Sequence, residues 1–173
     1  YGTDAMGVEY ADSIAYMADE SLDGNSDTDV FCERCWFYQT CTEVGFYQTC
    51  DPDSACPFTS TPWVNTLSMN LDLCTLTFGI SNTSVLSNVD TSNAQYGGRT
   101  PDIDRILYVN GADDPWSSQS ILESSTVHDL PAIVVEGASH HPWTHPPLDS
   151  DQQSVKDARV AIQAQVSAWL ALA

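Results

Sequence analysis

Two short β-favouring runs constrain this chain more tightly than any other feature. Arg105-Ile106-Leu107-Tyr108-Val109 stops at Asn110-Gly111, and Ala132-Ile133-Val134-Val135 stops at Glu136-Gly137. Each is a short apolar stretch ended by turn residues, the pattern of a strand. Between them, Ser117 to Ser125 reads as a helical or irregular crossover. From about Asp151 the apolar positions Val155, Ala158, Ile162, Val166, Trp169 and Ala173 step by three and four, which predicts a helix with one apolar stripe. Ser150 and Gln153 stand at the spacing of a capping box for its start. The order strand, crossover, strand, helix implies a parallel sheet with helices packed on it, an α/β arrangement.

In open α/β sheets the functional loops leave the carboxyl ends of the strands. Both strand ends here carry chemistry. The first leads into Asn110-Gly111-Ala112-Asp113-Asp114-Pro115-Trp116, the second into Glu136-Gly137-Ala138-Ser139-His140-His141-Pro142. An acid after one strand and a histidine after the next is the order in which α/β-hydrolases supply the last two members of a catalytic triad. The need is physical. A serine hydroxyl is a weak nucleophile until an imidazole takes its proton, and that imidazole must be held in one tautomer by a carboxylate. Asp114 and His140 fit those roles, against the plainer readings of a turn aspartate before proline and a surface-loop histidine. His141 competes for the base's role, and the distance after Gly137 favours His140. A metal site from His140, His141 and His145 is not expected, because the intervening prolines break any helical spacing. No cofactor is implied. No G-x-S-x-G string occurs in the chain, so the nucleophile is not among these residues.

The first half differs in character. Met6, Tyr10, Ile14, Met17 and Ala18 predict a helix over about 3–20, followed by an acidic, solvated loop from Asp19 to Asp29. Residues 64–80 could be helical around Leu67, Leu71 and Cys74, and Asn82 to Thr100 reads as polar and turn-rich. All six cysteines, Cys32, Cys35, Cys41, Cys50, Cys56 and Cys74, fall here. That density favours disulfides in an oxidising compartment over zinc, since the Cys32-x-x-Cys35 pair has no second pair at finger spacing. Cys50 and Cys56 flank the turn sequence Asp51-Pro52-Asp53-Ser54 and could close locally; the other four are not paired by the sequence. The sequon Asn82-Thr83-Ser84 fits a secreted surface. Twenty-four acidic residues against five basic ones give a formal charge of -19, which would repel nucleic acid and anionic membranes. No apolar run reaches the roughly 18 residues of a membrane span.

Four strings together are distinctive: Arg34-Cys35-Trp36-Phe37-Tyr38-Gln39-Thr40-Cys41-Thr42-Glu43, Tyr96-Gly97-Gly98, Asn110-Gly111 through Asp114-Pro115-Trp116, and Gly137-Ala138-Ser139-His140. In this order, over roughly residues 32–173, the chain resembles the prolyl carboxypeptidase and dipeptidyl peptidase II family of serine peptidases. The resemblance implies residues 1–99 as part of a helical, cysteine-rich cap and 100–173 as the C-terminal strands and helix of an α/β-hydrolase core. It implies Asp114 and His140 as catalytic residues and Trp116 as a substrate-binding residue that receives the proline ring. It also implies a partner for Cys41 upstream of this chain, and Cys32 or Cys35 as the partner of Cys74. The expected protein is a secreted or lysosomal/vacuolar serine exopeptidase acting on proline-containing peptides, with its serine in a missing N-terminal part and a homodimer as its possible assembly. The chain alone is then expected to be inactive. The rival expectations are an esterase of the same fold and an inactive, disulfide-stabilised binding domain.

Overall fold

The computed structural model describes residues 10–21, 32–51, 53–58 and 65–172. The chain divides after Tyr96 into two compact units. The first is helical, with α1 (Tyr10–Ala18), α2 (Glu33–Gln39), α3 (Leu67–Phe78) and α4 (Asn82–Tyr96). Residues 3–9 of the helix expected over 3–20, and most of the acidic loop, lie outside the described residues. α2 begins where Cys32 Sγ accepts from the Cys35 N–H, and it passes directly into a wider π-helical turn, Thr40–Val44, that ends at Gly45 in the left-handed region. α3 starts at Thr66, whose hydroxyl accepts from the Met69 N–H, and stops at the left-handed Gly79.

The core of this unit is built on a disulfide. Cys41 on the π-helical turn and Cys74 on α3 are bonded to each other and fully buried, with Val85 of α4 beside them. Phe37, Tyr47, Leu71, Phe78 and Ile80 pack around the three. Burial pushes the Tyr47 phenol up from its ordinary pKa, against the hydrogen bond it makes to Thr40. The pairing implied by resemblance is therefore corrected. Cys41 has its partner within the chain, and Cys32 and Cys35 close on each other across the first turn of α2. Cys50 closes on Cys56. The Cys41–Cys74 bond has a sequence separation of 33, for which loop-closure entropy gives about 3–4 kcal/mol. Replacing both cysteines with alanine is expected to destabilise the helical unit by about that much, measured by urea unfolding; an unchanged midpoint would show that the bond carries no stability.

The polar segment after Asn82 is a helix rather than a run of turns. Its apolar residues Val85 and Val89 are four apart and so share one face. The Ser81 hydroxyl accepts from the Ser84 N–H at its start, at 3.1 Å. Gly45 makes room for that face, since a Cβ there would strike the Val89 side chain. The stripe is too narrow to stand out in the sequence, and packing supplies what propensity does not.

The second unit holds the sheet. β1 (Tyr108–Gly111) and β2 (Ala132–Val135) pair in parallel, with Tyr108 opposite Ala132 and Gly111 opposite Val135. β1 starts at Tyr108, later than the apolar run; Arg105 itself has φ 67° and bonds through its N–H to the Asp129 carbonyl, outside the ladder. The crossover opens with a 3-10 turn, Pro115–Gln119, and continues irregularly. α5 (Gln153–Leu170) lays Val155 and Ala158 against Val135 and Ala138, with Val109, Ile133 and Trp143 around them. The expected capping box does not form. Gln152 caps α5 without a side-chain bond, and Asp151 instead accepts from the Leu148 N–H and from Arg159. Among the described residues no helix is long and apolar enough to cross a membrane.

Candidate active site

The carboxyl ends of β1 and β2 are joined by backbone bonds. The Ala112 N–H donates to the Val135 carbonyl and the Asp113 N–H to the Ala138 carbonyl, each at 3.0 Å. Asn110, buried at the end of β1, donates through Nδ2 to the Ile121 carbonyl at 3.1 Å. Gly111 lies so close to the second loop that a Cβ would strike the carbonyl oxygens of Ala138 and Ser139. Glycine is therefore required by close approach, not by its own dihedral angles. At the other strand end Gly137, at φ 66°, turns the chain back toward the first loop.

These bonds bring Asp114 and His140 together. Asp114 Oδ1 accepts from the Trp116 N–H at 2.9 Å, capping the 3-10 turn. Its Oδ2 lies 2.7 Å from His140 Nδ1. Both carboxylate oxygens are thus engaged, and the Asp114 side chain is only 6% exposed against 54% for His140. Desolvation raises the Asp114 pKa, but the hydrogen bonds from His140 and from the Trp116 N–H outweigh it, and the carboxyl is held below its ordinary value. An ionised carboxylate only accepts, so the proton between the two residues sits on Nδ1. In a neutral imidazole so held, the lone pair is on the other ring nitrogen, Nε2.

His141 takes a different place. It sits in the left-handed region at φ 42°, with its ring centroid 4.2 Å from that of His140. Thr144 Oγ1 donates to the His141 carbonyl at 2.8 Å and lies 3.1 Å from His141 Nδ1. Trp116 is half-buried, its ring 6.3 Å from the His140 ring and tilted by 40°. Among the described residues no group of three His, Cys, Asp or Glu side chains could hold a metal ion.

Two contributors escaped the sequence reading. One is Gly111. The other is Arg159 of α5, whose guanidinium donates to the carbonyls of Trp143, Pro142 and His145 and pairs with Asp151 at 2.6 Å. It anchors the turn that follows His140. Its signal was its rarity, one of five basic residues in the chain. Gly111→Ala is expected to push the two loops apart and cost about 1–3 kcal/mol of stability. The His140–Asp114 bond should weaken with it, read from the Nδ1 proton signal of His140 in NMR spectra, and an unperturbed signal would contradict the role given to the close approach.

Similarity to known proteins points the same way. The sequence matches the family described as serine carboxypeptidase S28 over residues 2–162. It is 40% identical over 141 residues to the thymus-specific serine protease of Homo sapiens, covering 82% of this chain and 26% of that protein. The Mus musculus protein of the same name is 39% identical over 138 residues, covering 80% of this chain and 26% of its own length. The probable extracellular serine carboxypeptidase of Arthroderma benhamiae is 31% identical over 116 residues, or 62% of this chain and 15% of that one. The chain thus spans about a quarter of the length of the mammalian relatives. No solved structure matches it. On the extent of the family match, the chain belongs to the serine carboxypeptidase S28 family of serine peptidases, whose fold is that of the α/β-hydrolases.

Proposed function

We propose that this chain supplies the acid and base of a Ser-Asp-His triad in a serine exopeptidase that cleaves peptide bonds next to proline. The observation that carries the reading is the 2.7 Å contact between His140 Nδ1 and Asp114 Oδ2, at two adjacent strand ends. The serine comes from the part of the protein that corresponds to the remaining length of the relatives. His140 Nε2 takes the proton from that serine as its oxygen attacks the scissile carbonyl, and Asp114 stabilises the imidazolium that forms. The same proton then goes to the leaving amine as the acyl-enzyme forms. A water, deprotonated by His140 in its turn, releases the acid.

Trp116 offers a flat indole beside the base, a surface on which a pyrrolidine ring can stack. The helical unit, stapled by its disulfides, belongs to a cap domain. An oxidising, secreted or lysosomal setting suits those bonds, and the extracellular relative supports the secreted one. With the serine-bearing part present, a peptide with proline beside the scissile bond is expected to have a kcat/KM about 10- to 100-fold above its alanine counterpart. Trp116→Ala should remove most of that preference. Equal rates for the two peptides would reject proline specificity while leaving the acid–base assignment intact.

A further inference from the structure

We infer that Asn82 is an N-glycosylation site whose oligosaccharide shields the exposed Leu86 one turn along α4. The sequon Asn82-Thr83-Ser84 supplies the acceptor amide and the hydroxyl two residues on that the transfer reaction needs. All three residues are exposed, at the first turn of α4. Asn82 Oδ1 lies 3.3 Å from Thr75 Oγ1 of α3, whose single proton has a nearer acceptor in the Ile80 carbonyl at 2.9 Å. That contact involves the amide oxygen, not the nitrogen that would carry the sugar.

The surroundings favour a bulky polar substituent. Leu86 lies four residues along from Asn82, on the same helix face, and is 60% exposed. A leucine left in water one turn from the asparagine is apolar surface against which a sugar chain rooted at Asn82 would lie. The three disulfides suit an oxidising compartment such as the secretory lumen in which this transfer takes place, independently of the catalytic reading.

The donor is a lipid-diphosphate-linked oligosaccharide. Asn82 Nδ2 forms a bond to C1 of the first sugar, and the C1–oxygen bond to the diphosphate breaks. The lipid diphosphate leaves with that electron pair, the amide loses one proton to solvent, and nothing is oxidised or reduced.

The test directs the full chain into the secretory pathway of a eukaryotic host and measures the intact mass of both secreted and cell-retained protein. One oligosaccharide increment is expected, removed by peptide-N-glycosidase, with heavy oxygen from labelled water incorporated at position 82. Asn82→Gln and Ser84→Ala should each abolish the increment. Ser84→Ala serves as the milder variant, because the Ser84 N–H keeps its bond to Ser81 Oγ. The deglycosylated chain should bind more of an apolar-surface dye, and Leu86→Ser should cancel most of the gain. An unmodified mass in both fractions, or an increment that survives both variants, overturns the assignment. Unchanged dye binding on sugar removal overturns the shielding role.

Discussion

His140→Ala is expected to lower the kcat of the serine-complete protein by about 10⁶-fold, with KM changed by no more than a few-fold. Removing the base of a triad leaves only binding and oxyanion stabilisation, which is the scale seen when either the nucleophile or the base is lost. The change corresponds to about 8 kcal/mol of transition-state stabilisation. Folding should be little affected, because the side chain is 54% exposed and, among the described residues, its ring is hydrogen-bonded only to Asp114. His141→Ala is the control. Its ring packs on that of His140, but its Nδ1 faces Thr144 rather than a carboxylate. That variant should retain activity to within about tenfold. Steady-state kinetics on a proline peptide, with urea unfolding of each variant alongside, distinguish the two histidines. A reversal of their effects would transfer the base to His141, and retention of activity in both variants would remove it from this loop.

The pair at positions 114 and 140 was legible because strand ends announce themselves. A short apolar run broken by Asn-Gly or Glu-Gly needs no tertiary information to be recognised, and the order acid then histidine follows the chain. What the sequence did not disclose is what holds the pair in register. Gly111 looked like a turn glycine, yet its requirement comes from the carbonyls of a loop more than 20 residues away. Arg159 lies on a helix whose pattern shows only its apolar stripe, while its guanidinium acts across the turn after His140.

Errors in the helical unit have the same origin. α4 is mostly serine, threonine and asparagine, and only Val85 is fully buried, so local composition argued for turns. Its helix exists because the core around Cys41 and Cys74 accepts that one side. The Cys50–Cys56 bond was foreseeable from its intervening turn, whereas Cys41–Cys74 depends on α3 packing against the π-helical turn, a long-range event. The capping box at Ser150 failed for a related reason. Asp151, next to it, has an ion pair with Arg159 to make, and that bond together with the Leu148 N–H fixes the approach to α5.

Asp114→Asn separates a structural aspartate from one that acts through His140. Asparagine and aspartate are nearly equal as caps, so an aspartate that merely caps the 3-10 turn could be replaced at little cost to activity. A positioning role predicts a fall in kcat of about 10⁴-fold. With its carbonyl accepting from the Trp116 N–H, the asparagine would present an NH₂ group to His140 Nδ1. That nitrogen must then accept, the ring proton moves to Nε2, and the atom that should take the serine proton is blocked. The Nδ1 proton signal should vanish from the NMR spectrum while KM stays nearly constant. Acid stability adds an independent check. The folded Asp114 pKa lies below the ordinary value despite desolvation, through the bonds from His140 and Trp116. Its contribution is therefore complete above the unfolded carboxyl pKa of about 3.9 and lost as pH falls through the lower folded value. The asparagine variant should be less stable than the wild type above about pH 5, and the gap should narrow below about pH 4. A variant with wild-type kcat and a pH-independent stability difference would reduce Asp114 to a turn residue, and with it the acid–base pair.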